Sequence, residues 1–475
     1  MMSELRDAKR FLFGRPQDFL RVPKARLQPI LARQGKPTID LDELRELLSP
    51  FAEVLPVIVV QSPEHWCHSV RDLPADIDAI LPVSIPAYPT EVWNSHPQPL
   101  VERGLPVIFW PLMAYDEPDF WRWSARDFLR ALGVEVYIAR NARHGEAIVR
   151  SLAVKRFLTT ANIVVFGEQN FPWNATAAGH LMTRSLGPMI LVEPLVEIRS
   201  RMSRFTDQQV RQVWSQRQGR YAVGNVHPEA LDEAVRVYLA IRDILDGHKA
   251  CAFGVNCFGD LVIRGGRDVP CLAQCLLRED GFIAACDGDF CAILSMILIT
   301  GLLDKPTMMS NMYPIRYVGA LNDHFGDPLS PDSKRYPQSS WNNLARLAHC
   351  GFVGVISPEM TPKGKATLRD WGGTYEIKRD GRGCGIDADL TPDMPITIVE
   401  MCFDGRTILL ASARVCETTR HPNMPHCESS ALLEFRNLEG FVESISREHT
   451  AVVYGDHIDE LRTLAEVLKL NCRVF

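Results

Sequence analysis

The residues whose types and spacing could do chemistry are concentrated between Phe282 and Asn311. A short apolar run, Phe282-Ile283-Ala284-Ala285, has the length of a buried strand, and Cys286-Asp287-Gly288-Asp289 stands at its end. In open α/β sheets ligands sit beyond the carboxyl ends of the strands, which is where Asp287 falls. An Asp-Gly-Asp turn more often only turns the chain and caps the next helix, and Asp289 is placed to do the capping. What lifts Asp287 above that reading is the following strand, Pro306 to Asn311, which again ends on a polar side chain. Two adjacent strand ends then face one pocket. A second group of ligand types, His421, His426, Cys427 and Glu428, spans eight residues. Pro422 and Pro425 hold that segment extended, and its spacing fits no zinc pattern, so it reads as a loop.

The elements that must position these residues follow from periodicity. Cys271, Leu272, Leu276 and Leu277 form the apolar face of a helix that breaks at Glu279-Asp280-Gly281, and a second apolar helix runs from Phe290 to about Leu303. Upstream, residues 54–60, 80–85, 105–110 and 134–138 are short β-branched runs separated by helical or polar stretches, the pattern of a parallel sheet covered by helices. A second set of strands, 161–167, 189–192 and 250–255, alternates with helices starting near Ala175, after the Thr206-Asp207 cap, and at His227. Both sets read as Rossmann-like (flavodoxin-like) α/β layers. Gly265-Gly266 is a turn, and the stretch from Gly381 to Gly385 lacks the phosphate-binding lysine and preceding strand, which excludes NAD and ATP. Past Lys305, residues 322–340 make a polar loop too long for a simple connection. Short strands at 373–377, 396–400, 407–412 and 432–435 then suggest a small antiparallel barrel. The expected domains are 1–156, α/β with a basic N-terminal arm; 157–304, α/β with the Asp287 strand end; and 305–475, β-rich.

At 475 residues the chain exceeds one ordinary core, and its 46% hydrophobic and 23% charged residues are those of a globular protein. A net charge of −6 argues against nucleic acid and anionic membrane surfaces as partners. Thirteen cysteines without a Cys-x-x-Cys pair read as reduced thiols in a cytoplasm. The first forty residues are locally basic, through Lys9, Arg10, Arg15, Arg21, Lys24, Arg26, Arg33 and Lys36, and contain no apolar segment long enough for a signal peptide or a membrane span. They read equally as an arm packing on a neighbouring subunit or as a solvated surface helix. Trp66, Trp93 and Trp110 follow strands, where packing is the first reading and sugar stacking the second.

The motif Pro270-Cys271-Leu272-Ala273-Gln274, then Asp280-Gly281, Ala285 to Asp289, the apolar helix, Lys305-Pro306 and the strand to Asn311 resemble the L-fucose isomerase and L-arabinose isomerase superfamily. His349-Cys350-Gly351, and the stretch from His449 to Asp456 followed by a helix, extend the resemblance. It implies an aldose–ketose isomerase of two α/β domains and a β-rich C-terminal domain, assembled as a homo-oligomer (trimer or hexamer), acting on a small sugar with a divalent metal, manganese(II). On this resemblance Asp287 is metal ligand and base, Asn311 occupies the second acidic ligand position, His449 is the nitrogen ligand, and His349 contacts substrate or metal.

Two departures stand out. The family carries Glu where this chain has Asp287, and a carboxylate where it has Asn311. A misplacement of roughly 1 Å at a reacting centre costs about a hundredfold. An amide oxygen can bind metal but cannot act as base, a loss on the order of 10²- to 10⁴-fold. Asp289, Asp323 and Glu359 are the candidates to replace the missing acid. The alternatives to isomerisation are another metal-assisted reaction on a sugar or sugar acid, by a lyase or epimerase, and a non-catalytic sugar-binding or scaffold role on the same fold.

Overall fold

The computed structural model describes residues 18–32, 36–37, 39–85, 92–110, 120–167, 179–180, 183–257, 269–327, 329–349, 361, 366–371, 373–374, 377–378, 383–421 and 429–475. The most N-terminal part of the basic stretch, the helix expected near Ala175, Gly265-Gly266, Cys350-Gly351, Glu359 and residues 422–428 lie outside the described residues. Contacts divide the chain into two units, one of residues 22–158 with 462–468, the other comprising 159–461 and 469–475 together with residues up to 21.

The first unit is built on β1 (Ala25–Ala32), β2 (Ala52–Val54), β3 (Ile58–Val60), β4 (Ala79–Pro82), β5 (Val107–Phe109) and β6 (Val136–Ile138). Their order is β2-β1-β4-β5-β6, with β3 also on β1, and every pairing is parallel. Aliphatic clusters cover both faces of this sheet, as a parallel sheet requires. Residues 25–32, expected within a basic arm, form an inner strand instead: Ala25, Leu27 and Ile30 are fully buried while Arg26 reaches outward to Glu53. Pro29 disguises the strand, since proline is rare inside sheets. The expected run at 54–60 is split between β2 and β3, and Gln28 Nε2 donates to the carbonyl of Pro56 in the gap at 2.7 Å. Trp66 and Trp93 are buried with ring centroids 6.0 Å apart, so they pack the core rather than offer a sugar platform.

In the second unit, β7 (Asn162–Phe166), β8 (Met189–Glu193), β9 (Ala250–Val255) and β10 (Ile283–Cys286) form a parallel sheet ordered β8-β7-β9-β10. Helices α1 (Pro228–His248) and α2 (Cys271–Glu279) pack together over its core. The Thr206 cap is present as a reciprocal capping box with Gln209. Beyond α3 (Phe290–Leu303) come β11 (Thr307–Pro314), β12 (Leu344–Ala348), β13 (Pro395–Met401), β14 (Thr407–Arg420), β15 (Ser429–Phe435), β16 (His449–Tyr454) and β17 (Asn471–Val474). The first six close a ring, β13-β16-β11-β12-β15-β14 and back to β13, with antiparallel pairing throughout, and β17 adds in parallel to β14. Closure leaves those six strands without an edge. The fold is thus Rossmann-like parallel sheets followed by a closed antiparallel barrel.

The barrel differs in membership from expectation. Among the described residues, 373–374 and 377–378 pair only with each other, and the strand ending at Asn311 is a barrel strand that continues to Pro314, not a neighbour of β10 in the parallel sheet. The polar stretch 322–340 holds the end of a short helix, Gly319–Phe325, and the start of a 3₁₀ turn, Gln338–Asn343. No helix among the described residues is long and apolar enough to cross a membrane.

Asp78 ties β1 to the loop before β4, accepting from the Arg26 backbone N–H at 2.8 Å. Burial pushes its carboxyl up to about 6, against the Arg26 N–H and the Arg156 charge. A raised folded-state value means that protonation favours the fold. This contribution is full below the unfolded value near 4 and is lost as pH rises through about 6. Relative to Asp78→Asn, the natural protein is expected to lose about 1–2 kcal/mol between pH 5 and pH 8. Urea midpoints of both proteins at the two pH values check this, and an unchanged difference contradicts it.

Candidate functional site

Strand β10 is buried throughout, and the chain leaves it through two consecutive residues of positive φ, Asp287 at 55° and Gly288 at 64°. The Asp289 N–H closes the turn on the Cys286 carbonyl at 3.2 Å. Aspartate tolerates this left-handed region better than most residues. Asp289 then returns to negative φ and caps α3, its Oδ1 accepting the Ala292 N–H at 2.8 Å. The turn lies against β9 so closely that a Cβ on Gly254 would stand 2.7 Å from Gly288 Cα. Only glycine fits at 254, and that contact sets the position of Asp287.

The other half of the site comes from the barrel wall. Met308 and Met312 of β11, Ala345 and Leu347 of β12, and Val452 of β16 belong to its interior core. By the two-residue period of strands, Asn311 and His449 point to the opposite face. They are directly paired across β11 and β16, and Ala348 is the β12 partner of Asn311, so His349 follows immediately beside them. Helix α3 packs on β11, β13 and β16, and its N-terminal turn brings Asp287 and Asp289 to this face.

Asp287, His349 and His449 converge, each offering one ligand atom within 4.8 Å of the others. Asp287 Oδ2 is 3.4 Å from His449 Nε2 and 3.8 Å from His349 Nε2. Both imidazoles are 3% exposed and Asp287 is 21% exposed, so the carboxylate is the accessible member. Asn311 Nδ2 donates to the Tyr313 hydroxyl at 2.9 Å, while its Oδ1 is buried with no hydrogen-bond partner among the described residues. One carboxylate oxygen and two imidazole nitrogens make a donor set that fits a divalent cation.

On its other side His449 Nδ1 is 2.8 Å from Asp289 Oδ2, and the same oxygen accepts from Arg447 Nε at 2.6 Å. Arg447 Nη1 donates to the Met401 carbonyl at 2.9 Å and lies 3.5 Å from Glu400 Oε1. Burial opposes ionisation of Asp287, but the His449 hydrogen bond and the charges of both histidines outweigh it and hold the carboxyl below its usual range. Asp289 is lowered in the same way, by Arg447 and His449 against burial. Burial alone would lower His449, yet its bonds to the two aspartates push it up to about 9. For Glu400 burial wins over Arg447 and the Ser446 N–H, pushing it up to about 7.

Of the residues singled out by sequence, Asp287, His349 and His449 come together as ligand types, with Asn311 beside His449. Asn311 lies within a strand rather than at its end. Asp289 caps its helix as expected and also grips His449, so it is no free acid to replace residue 311. Asp323 is exposed on the short helix from Gly319 and does not join the group. His421 is held by Thr419 at 3.2 Å. Arg447 and Glu400 escaped the sequence reading, although a glutamate near the end of an apolar strand and an arginine two residues before His449 were signals available to it.

Comparison with known proteins finds a sulfoquinovose isomerase from Clostridium sp. (strain MSTE9), 25% identical over 253 residues. The match covers 51% of this chain and 48% of that protein, so the chain spans about half the length of the curated relative it matches. No family profile matches the chain.

Two stability tests follow from this geometry. Gly254→Ala forces β9 and the Gly288 turn apart and is expected to cost about 1–3 kcal/mol in urea unfolding. Asp289→Ala removes a cap, usually worth about 1 kcal/mol, and also strands a buried guanidinium, so a loss of about 3–5 kcal/mol is expected by the same measurement. A loss no larger than an ordinary cap would show the Arg447 pair to be inert.

Proposed function

We propose that this protein is a metal-dependent sugar isomerase of the aldose–ketose type whose site departs from the usual ligand set. The observation that carries the reading is the convergence of Asp287, His349 and His449. The similarity to a sulfoquinovose isomerase supports a sugar or sugar derivative as substrate. Asp287, His349, His449 and Asn311 Oδ1 would hold the cation, manganese(II) by the resemblance to the fucose and arabinose isomerases. When bound, such a cation supplies Lewis-acid polarisation of a carbonyl oxygen and stabilises the negative charge that develops there.

The protein's own residues do the rest. Asp287, ionised and partly exposed, is the proton carrier: it takes a proton from the carbon beside the carbonyl and returns it to the neighbouring carbon of the enediol. His449 must give up its Nε2 proton before a cation can be held there, since the raised value leaves the imidazole charged at neutral pH. His349 walls the site beside Asp287. Asn311 offers an oxygen but no base, which is the observation favouring a second reading, a metal-assisted reaction or sugar binding without isomerisation.

Elemental analysis of protein purified without a chelating tag is expected to find about one divalent metal per chain, lost in Asp287→Ala and in His449→Ala. With a converting sugar, Asp287→Asn is expected to lower turnover on the order of 10²- to 10⁴-fold. Substrate incubated in deuterated water should take up deuterium at the carbon next to the carbonyl. Saturable sugar binding without such uptake would replace isomerisation by the second reading.

A further inference from the structure

The guanidinium of Arg447 is 2% exposed and sits on the Nδ1 side of His449, where it touches neither Asp287 nor His349 in any described contact. Its shortest bond, 2.6 Å, goes to Asp289 Oδ2, the oxygen that also meets His449 Nδ1 at 2.8 Å. The other oxygen of Asp289 is taken by the Ala292 N–H at the start of α3. Asp289 is therefore pinned through both oxygens, one by a helix terminus and one by an arginine, and has no freedom to swing away from His449. Arg447 Nη1 also ties the segment before β16 to β13 through the Met401 carbonyl at 2.9 Å, and its contact to Glu400 of the same strand is weaker. That contact is the long one, 3.5 Å, and Glu400 Oε1 is already served by the Ser446 N–H at 2.7 Å.

We propose that Arg447 is a positioning residue for His449: through Asp289 it keeps the hydrogen on Nδ1 and aims Nε2 at Asp287. The functional meaning of this rests on the metal-dependent reading above, but the geometry does not. Arginine suits the role because its fork spans the Asp289 carboxylate and the Met401 carbonyl at once, which a lysine cannot do. A histidine donating its second nitrogen to a buried carboxylate is held in one tautomer and one ring orientation. Loss of such an outer partner typically costs 10- to 100-fold in metal affinity.

The test uses nitrogen-15-labelled, metal-free full-length protein and its exchange-protected imidazole N–H resonances. Of the resonances that disappear in His449→Gln, the one whose nitrogen couples to the ring Hε1 but not to Hδ2 reports the Nδ1–H held by Asp289. It is expected to persist in Glu400→Gln, which keeps Arg447, and to be lost or displaced in Arg447→Met and weakened in Arg447→Lys while far-ultraviolet circular dichroism is unchanged. Manganese(II) affinity is expected to fall about 10- to 100-fold in Arg447→Met and less in Arg447→Lys. Folded Arg447 variants with the natural resonance and natural manganese affinity overturn the proposal, as does a Glu400→Gln protein that loses the resonance as completely as Arg447→Met. If Arg447→Met does not fold, Arg447→Lys decides by the same two readouts. If the natural protein shows the resonance but takes up no manganese, the metal reading fails, while loss of the resonance in the Arg447 variants still supports the positioning role.

Discussion

One buried carboxylate, Asp289, is the joint on which the site depends. It ends a strand-to-helix turn, caps α3, receives a guanidinium, and orients the imidazole of His449. Burying a lone carboxylate would be prohibitive, and burying it with a single partner would be neutral at best. Here a helix N-terminus, an arginine and a histidine share it, so its charge is met by the three surroundings that favour an anion most. The consequence is rigidity: a parallel sheet and a barrel that meet at this group cannot slide past each other without breaking several charged hydrogen bonds together.

That rigidity explains how ligands from distant parts of the chain stay in register. Asp287 belongs to a turn of the parallel sheet, and His449 to the barrel wall 162 residues later in the sequence. What aligns them is local at each end. Gly254 lets the turn approach β9, and the antiparallel pairing of Asn311 with His449 fixes which side chains share a face. The left-handed backbone at Asp287 is the kind of feature that costs a small amount of stability and persists where the surroundings over-determine it. Asp287 is also the one member of the converging group with appreciable exposure.

The left-handed turn at Asp287 is directed at the two histidines, and the cluster closes to within 4.8 Å. Asn311 is paired with His449 across β11 and β16. Its carbonyl oxygen remains buried and unpartnered, an expensive state unless something is to be bound there. The similarity to a sulfoquinovose isomerase covers about half of each protein.

What the sequence determined by itself was whatever local periodicity and capping encode. The strands at 162–166, 250–255 and 283–286, the apolar helix from Phe290, the Asp289 cap and the approach of an acidic turn to a strand end were all legible, because each depends on side chains a few residues apart. The resemblance of short motifs added His349 and His449, the second of which alone reads as a surface histidine before a strand. Only tertiary structure decided the rest. A proline hides the inner strand Ala25–Ala32, and the run 306–311 does not declare its partners, so its expected adjacency to the Asp287 strand end gives way to pairing within the barrel. The sequence holds Arg447 and Glu400 as charged residues near strand ends but does not say what faces them. Whether a charged residue is a solvated surface group or the buried counter-charge of a site is settled by what the fold brings against it, and those contacts join positions more than forty residues apart.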